Sequence, residues 1–206
     1  ECQGSIAGYC YKEPELEPRE LRAFQALYDA TGGGEWTYCS AFRNDPCSCK
    51  NQNGDPALRC YQGQITSLYL IGNNLIGSLP SELGLLASVE SFEIVSNPGI
   101  TGALPSELGL LASVQEFNVH SNPGITGSIP DTFGVHLRHL KTLDLSSNSL
   151  SGGLPLIWMN LVSESDYGNW GTSRIEIEGI QRGYTSCRQT ININNILGKL
   201  VSLKLA

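Results

Sequence analysis

The sequence is poor in basic residues, has a single methionine and lacks a long apolar run. Among its 206 residues, 13 Lys and Arg are outnumbered by 20 Asp and Glu, which gives a formal charge of −7. Nucleic acids and anionic membrane surfaces bind clusters of Lys and Arg, so the composition argues against both partners. The longest apolar stretch, residues 154–162, is far shorter than the ~20 residues that a membrane-spanning helix needs. We therefore expect no membrane span in this chain.

Cysteine is absent from the whole middle of the chain. Six of the seven cysteines lie in the first 60 residues, and the seventh is Cys187. The amino-terminal region has no paired C-x-x-C motifs and no histidine, so disulfides are favoured over a zinc site. Disulfides indicate an oxidising compartment, and the start at Glu1 without Met is typical of a chain whose secretory signal has been removed. We expect a secreted, extracellular protein, without N-glycosylation because no N-x-S/T sequon occurs.

The hexapeptide Asn-Pro-Gly-Ile-Thr-Gly occurs twice, at residues 97–102 and 122–127. It belongs to four consecutive units in which the first, fourth and sixth residues are apolar and the ninth is asparagine. The units begin at Ile65, Val89, Val114 and Leu140. Units of this size cannot bury their apolar faces alone, so a period of 24–26 residues predicts a stacked solenoid.

Each unit predicts a short strand, a sharp bend and a return segment. The alternation at places four to six is typical of a strand with one buried face. At the bend, one amide side chain can both donate to and accept from buried backbone groups. The four asparagines are therefore expected to form a buried ladder: Asn73, Asn97, Asn122 and Asn148. We expect the hexapeptide to form the corner of the repeat, with its Asn-Pro-Gly glycine in a backbone conformation that other residues avoid.

The pattern LxxLxLxxNxLxGxIP in these units resembles the plant-type class of leucine-rich repeat, found in receptor-kinase ectodomains and polygalacturonase-inhibiting proteins. The resemblance implies an α/β fold: a right-handed solenoid with short parallel β-strands on its concave face and a disulfide-stapled helical cap at its amino-terminal end. Residues 18–37, "PRELRAFQALYDATGGGEWT", resemble the capping helix of this family.

The resemblance also implies a disulfide pairing. The family's cap carries a cysteine pair, and Cys49 stands where the family has a tryptophan, which suggests a second disulfide in place of the ring. Three disulfides are expected: Cys47–Cys60, Cys39–Cys49 and Cys2–Cys10. Cys187 is then the unpaired thiol.

The sequence divides into an acidic, Pro-rich lead-in (1–17), the cap (18–64), four repeat units (65–161) and degenerate repeats (162–206). The last region ends without the cysteine cap of the family. Its terminal strand, with Leu200, Leu203 and Leu205, is expected to be covered in the working protein. Either another chain associates through this carboxy-terminal edge or Cys187, or a longer chain supplies the missing cap.

The resemblance implies that a partner binds the outward-facing residues of the concave strands. The expected binding residues are Tyr69, Ile71, Glu93, Val95, Glu116, Asn118, His120, Asp144 and Ser146. They mix an aromatic ring, carboxylates and an amide with the apolar Ile71 and Val95, which are both expected to be exposed. Carboxylates dominate this face, so a basic protein partner is favoured over an acidic polymer.

No catalytic, cofactor or metal motif stands out. His136 and His139 have a metal-like spacing but no third ligand nearby. No nucleophile elbow or phosphate-binding glycine loop is present. We therefore predict a secreted protein-recognition module that binds a protein partner, with no enzyme activity, metal or cofactor. The alternatives are a structural subunit of an extracellular wall, matrix or filament, and an inhibitor of a secreted polysaccharide hydrolase.

Overall fold

The computed structural model describes residues 15–152 in full and, outside them, the backbone of four short strands. The first two, β1 (Gly4–Ile6) and β2 (Tyr9–Tyr11), form an antiparallel hairpin. Cys2, Cys187 and the side chain of Cys10 lie outside the described part of the chain. The predictions of a Cys2–Cys10 disulfide and an unpaired Cys187 therefore stay predictions.

A helical cap opens the fully described region. Helix α1 (Pro18–Ala30) begins at a proline, which suits the first helical position because its missing N–H would have no partner there. The helix buries Phe24 and Leu27, and Trp36 packs edge-on against Phe24 with ring centroids 6.0 Å apart. Two 3-10 helices follow at 33–35 and 46–48. The cap is closed by the disulfides Cys39–Cys49 and Cys47–Cys60, as predicted.

The concave face is a seven-stranded sheet. Its strands in the cap and repeats are β3 (Leu58–Tyr61), β4 (Gln64–Ile71), β6 (Ser91–Val95), β8 (Glu116–Asn118) and β10 (Thr142–Asp144). Strands β4, β6, β8 and β10 are parallel neighbours in chain order, whereas β3 pairs antiparallel with β4. The predicted solenoid of stacked parallel strands is confirmed, with β3 extending the sheet into the cap.

A second, four-stranded parallel sheet lies beyond the asparagines. It comprises β5 (Ile76–Gly77), β7 (Gly99–Ala103), β9 (Gly124–Gly127) and β11 (Ser149–Leu150). The repeated hexapeptide thus contributes a strand as well as a corner.

The expected conformation of the Asn-Pro-Gly glycines is wrong. Gly102 and Gly127, three residues further along each unit, have the positive φ angles of 86° and 79°, and Gly99 and Gly124 do not. Gly99 is needed for space: a Cβ there would lie 2.7 Å from the carbonyl oxygen of Leu75. The glycine therefore allows neighbouring strands to approach.

The return segments form the convex side. They contain 3-10 helices at Ser81–Leu85 and Ser106–Leu110 and helix α2 (Asp131–His136). The core lies between these segments and the concave sheet. Phe117 is central to it, with its ring 5.1 Å from that of Phe92 and 5.2 Å from that of Phe133.

Two strands extend the concave sheet past β10. They are β12 (Glu176–Ile177) and β13 (Ser202–Leu205). Sequence order predicted β13 as the last strand of the stack, but it pairs directly with β10, with Leu203 opposite Leu143. Strand β12 pairs with the other side of β13. Among the described strands, β12 is therefore the outer one at this end. Leu200 and the side chains of Leu203 and Leu205 lie outside the described part.

Candidate recognition surface

The concave sheet aligns four outward-facing residues into one column. Tyr69 lies opposite Glu93, Glu93 opposite Asn118, and Asn118 opposite Asp144. Neighbouring strands in a sheet are ~4.8 Å apart, so the column spans roughly 15 Å. Along each strand, these outward-facing residues alternate with buried residues, such as Leu68, that face the core. Four side chains from four repeats thus meet on one surface.

The middle of this column is rich in hydrogen-bond acceptors. Asn118 donates its side-chain N–H to Glu93 Oε1 at 3.3 Å. The Asn118 Oδ1 atom is buried, and none of the described groups donates a hydrogen bond to it. The acceptor that this part of the surface offers to a partner is therefore the half-buried Glu93 carboxylate, because Asn118 Oδ1 has no exposed surface.

The neighbouring column consists of Ser67, Ser91, Glu116 and Thr142. Glu116 is exposed and accepts a hydrogen bond from Ser91 Oγ at 3.3 Å. The sequence placed Glu116 on the binding face, and the structure brings it beside the first column. Glu93 and Glu116 together make this region negatively charged.

Asp144 is recessed at one end of the column, with 9% of its surface exposed. Its Oδ1 accepts hydrogen bonds from the Ser146 backbone N–H at 3.0 Å and from Ser146 Oγ at 2.6 Å. Asp144 therefore orders the turn that follows β10 and offers little surface to a partner.

The expectation that Ile71 and Val95 are both exposed is half wrong. Ile71 is 48% exposed, but Val95 is only 8% exposed. Val95 lies in an interior repeat, between the longer side chains of Ile71 and His120 at the same place of the adjacent repeats, whereas Ile71 lies at the cap end. His120 is half-buried, with Nδ1 3.0 Å from Ser121 Oγ. Ile71 is therefore the exposed aliphatic residue of this row.

The cap adds two residues to this surface that sequence reasoning missed. The Arg59 guanidinium lies over the Tyr69 ring, 5.7 Å from its centroid, a distance at which cation–π attraction operates. The Tyr38 hydroxyl accepts the Ile71 N–H at 2.7 Å and donates to the Ile71 carbonyl at 3.1 Å. Burial raises the pKa of Tyr38. Neither residue belongs to a repeat, so the 24–26-residue period gave no signal for them.

The asparagines hold the surface from behind. Asn97 and Asn122 are fully buried, and each side-chain oxygen accepts the backbone N–H of the asparagine in the preceding repeat. Asn148 does the same for Asn122, although it is half-buried rather than buried. At the cap end, Asn73 accepts the backbone N–H of Tyr38 at 2.7 Å. The four asparagines thus join the bends of successive repeats to one another and to the cap.

The convex histidines are not gathered into a site. His136 and His139 are both exposed. Within the described residues, no group of three or more His, Cys, Asp or Glu side chains is arranged to hold a metal ion. The described helices also include none with the length and apolar content required to cross a bilayer.

Comparison with known proteins agrees with this architecture. The Leucine Rich Repeat family model matches residues 64–86 and 139–161. The ectodomain of the receptor kinase SOBIR1 from Arabidopsis thaliana is 23% identical with a TM-score of 0.54, covering 69% of this chain and 74% of that one. The BIR3–SERK2 complex from Arabidopsis thaliana gives 25% identity and a TM-score of 0.52, covering 66% and 72%.

A plant ice-binding protein shares the fold at 22% identity and a TM-score of 0.58, covering 70% of this chain and 45% of that one. No curated relative matches the sequence significantly. The repeat pattern, the disulfide-closed cap and the similar solved structures identify a leucine-rich repeat fold like that of plant receptor ectodomains.

Proposed function

We propose that this leucine-rich repeat solenoid is an extracellular recognition module that binds a basic protein partner through its concave face. The observation that carries the proposal is the continuous surface formed by Tyr69, Glu93, Asn118 and Glu116 across adjacent parallel strands. The four residues come from three different repeats. The regular stacking of the repeats therefore brings these four side chains together on one continuous surface.

The scaffold prepares these side chains for binding. Their strands are fixed by neighbouring strands on both sides and by the asparagine hydrogen bonds behind them. A surface that is already ordered loses less conformational entropy when a partner binds. Tyr69, supported by Arg59, offers a large aromatic contact of the type enriched among residues that dominate binding energy.

Electrostatics favour a partner with cationic groups. Glu93 and Glu116 supply two carboxylates on adjacent strands. Lysine or arginine side chains can donate to both. Long-range attraction between such groups mainly accelerates association and selects partners by charge.

The comparisons support an interaction module. The similar BIR3–SERK2 structure from Arabidopsis thaliana is a complex of two proteins. The two disulfides of the cap and the likeness to receptor ectodomains support an extracellular location. We propose binding rather than catalysis for this surface, since the similar solved structures include a receptor-kinase ectodomain and a protein complex.

Capture from an extracellular extract tests the proposal. The wild-type chain, the Glu93→Lys/Glu116→Lys variant and a control variant, Glu35→Lys/Asp55→Lys, are immobilised in equal amounts. Both variants change the net charge equally, but Glu35 and Asp55 are exposed residues of the cap. Quantitative mass spectrometry then compares the proteins that each form retains.

The proposal predicts basic proteins that the wild type and the control retain and the Glu93→Lys/Glu116→Lys variant loses. Equal loss with both variants would mean that net charge alone drives the interaction, and it would contradict recognition by the concave face. The same retained proteins on all three forms would also contradict it.

A further inference from the structure

The convex side carries a row of exposed apolar side chains. Leu85, Leu110 and Val135 are 37%, 50% and 37% exposed. They occupy the fifth place of three consecutive return segments, 81–85, 106–110 and 131–135. The stacking that builds the concave columns therefore also aligns these three side chains on the opposite side.

This row is not explained by packing of the solenoid itself. The neighbouring Leu83, Leu108 and Phe133 already fill the core and are completely buried. Six large hydrophobic residues are exposed within the described part of the chain, and half of them belong to this row. Exposed apolar residues that are scattered singly need no explanation, whereas a contiguous apolar surface marks an interaction site.

A line of carboxylates accompanies the apolar row. Glu82, Glu107 and Asp131 lie three or four residues before the apolar residue of the same segment, and all three are exposed. Ser81 Oγ and Ser106 Oγ hydrogen-bond to Glu82 and Glu107 at 3.2 Å and 3.1 Å. Among the described residues, no Lys or Arg forms an ion pair with these carboxylates. Their negative charge is therefore available to a partner.

We propose that this convex row binds an amphipathic helix of a partner protein, in which an apolar stripe is flanked by lysines or arginines. The stripe would contact Leu85, Leu110 and Val135, and the basic flank would face the carboxylates. Two copies of this surface facing each other would bring carboxylates close to carboxylates, so self-association is disfavoured. The surface lies on the opposite side from the concave columns, so the inference does not depend on the proposed concave partner.

A synthetic amphipathic helix serves as the probe. It is about 18 residues long, since shorter helices are marginal in water, with leucines on one stripe and lysines along its flanks. A second peptide with glutamates in place of the lysines tests the charge requirement. Fluorescence anisotropy of the labelled peptides measures affinity for the wild-type chain and for three variants.

The first variant, Leu85→Asn/Leu110→Asn/Val135→Asn, removes the apolar row. The second, Glu82→Gln/Glu107→Gln, removes two carboxylates while keeping their size. The third, Glu93→Lys/Glu116→Lys, changes the concave face. Circular dichroism melting checks that each variant is folded, which is expected because every substituted residue is exposed or half-buried on the surface.

The inference predicts that the leucine–lysine helix binds the wild type and the concave variant with similar affinity. Removing the apolar row weakens binding about tenfold or more, because the transferred apolar area is lost. The Glu-to-Gln variant reduces both the affinity and its dependence on salt. No binding to the wild type, unchanged binding to the apolar-row variant, or equal binding of the leucine–glutamate helix would overturn the inference.

Discussion

Asn97 Oδ1 accepts the backbone N–H of Asn73 at 2.9 Å, across the boundary between two repeats. The Asn97 side-chain N–H groups donate to the carbonyls of Leu70 and Val95, both at 2.9 Å. One fully buried amide thus satisfies backbone groups of its own repeat and of the repeat before it. This relationship recurs along the stack, and it fixes the spacing of the concave strands that carry the proposed binding residues.

Asn122→Ala should lower the free energy of unfolding by about 2–3 kcal/mol, because buried backbone groups lose their partners. Asn122 accepts the Asn97 N–H and donates to the carbonyls of Ile94 and His120. Urea unfolding measures the change. The control is Asn53→Ala, at an exposed position in the cap. If both substitutions cost the same, the buried asparagines do not stabilise this solenoid.

Gly124→Ala should destabilise the chain by about 1–3 kcal/mol, because the added methyl group overlaps the Ile100 carbonyl of the adjacent strand. The matched control is Gly34→Ala, where no atom lies within 4 Å of the new Cβ. That substitution should be neutral or stabilise by up to about 1 kcal/mol, since alanine restricts the unfolded chain. Thermal unfolding compares the two variants. A neutral Gly124→Ala would show that the second sheet has room that the structure does not indicate.

Phe117 should be the most sensitive aromatic residue of the core, because it contacts rings from both the concave and the convex side. Phe117→Ala should cost about 3–5 kcal/mol, and Phe117→Leu should cost markedly less because most of the volume is kept. Denaturant titration of both variants gives the difference. Equal losses would indicate that the stacked ring geometry, rather than filled volume, sets the stability.

The buried carboxyl of Glu20 should make stability depend on pH. Its Oε2 accepts the Ile65 N–H at 3.2 Å, and Oε1 lies 3.6 Å from Arg19 Nε. Burial raises the pKa of Glu20, against the opposing effects of the Ile65 hydrogen bond and Arg19 and with a further rise from Glu17. The folded chain therefore holds this proton more tightly than the unfolded chain does.

The direction of this pH dependence follows from the linkage between proton binding and folding. Glu20 contributes its full stabilisation below the pKa of about 4.3 that it has in the unfolded chain. This contribution is lost as the pH rises through the higher pKa of Glu20 in the folded chain. Relative to Glu20→Gln, the wild type should lose free energy of unfolding between about pH 4 and the folded pKa, with no further change above it. Unfolding curves of both forms across this range measure the difference. A pH-independent difference would mean that Glu20 ionises in the folded chain as easily as in solution.

The repeats were predictable because the same short sequence pattern recurs in four consecutive units. The apolar places that predicted the strands are buried, and the asparagine places predicted the bend. The cap was less predictable, since its contributions to the concave surface, Arg59 and Tyr38, come from non-repeating segments. Exposure also could not be derived from alternation alone. Ile71 and Val95 occupy the same place of adjacent repeats, yet only Ile71 is exposed, because neighbouring repeats decide how much of a side chain is covered.

The order of the last strands in the sheet also could not be predicted from the sequence. Strand β13 is closest to β10 although β12 precedes it in the chain. Sequence order predicts adjacency only while successive units keep one length and one pattern. That regularity ends after the fourth unit, so sequence order no longer predicts which strands pair there.

Carboxylate footprinting tests the central claim most directly, namely that the concave face contacts the partner. The chain is labelled with a carbodiimide and an amine, free and in complex with the protein that the wild type retains and the Glu93→Lys/Glu116→Lys variant does not. If the concave face contacts the partner, labelling of Glu93 and Glu116 falls several-fold in the complex, whereas labelling of the exposed Glu35 and Asp55 stays constant. Unchanged labelling of Glu93 and Glu116 in the complex would contradict it.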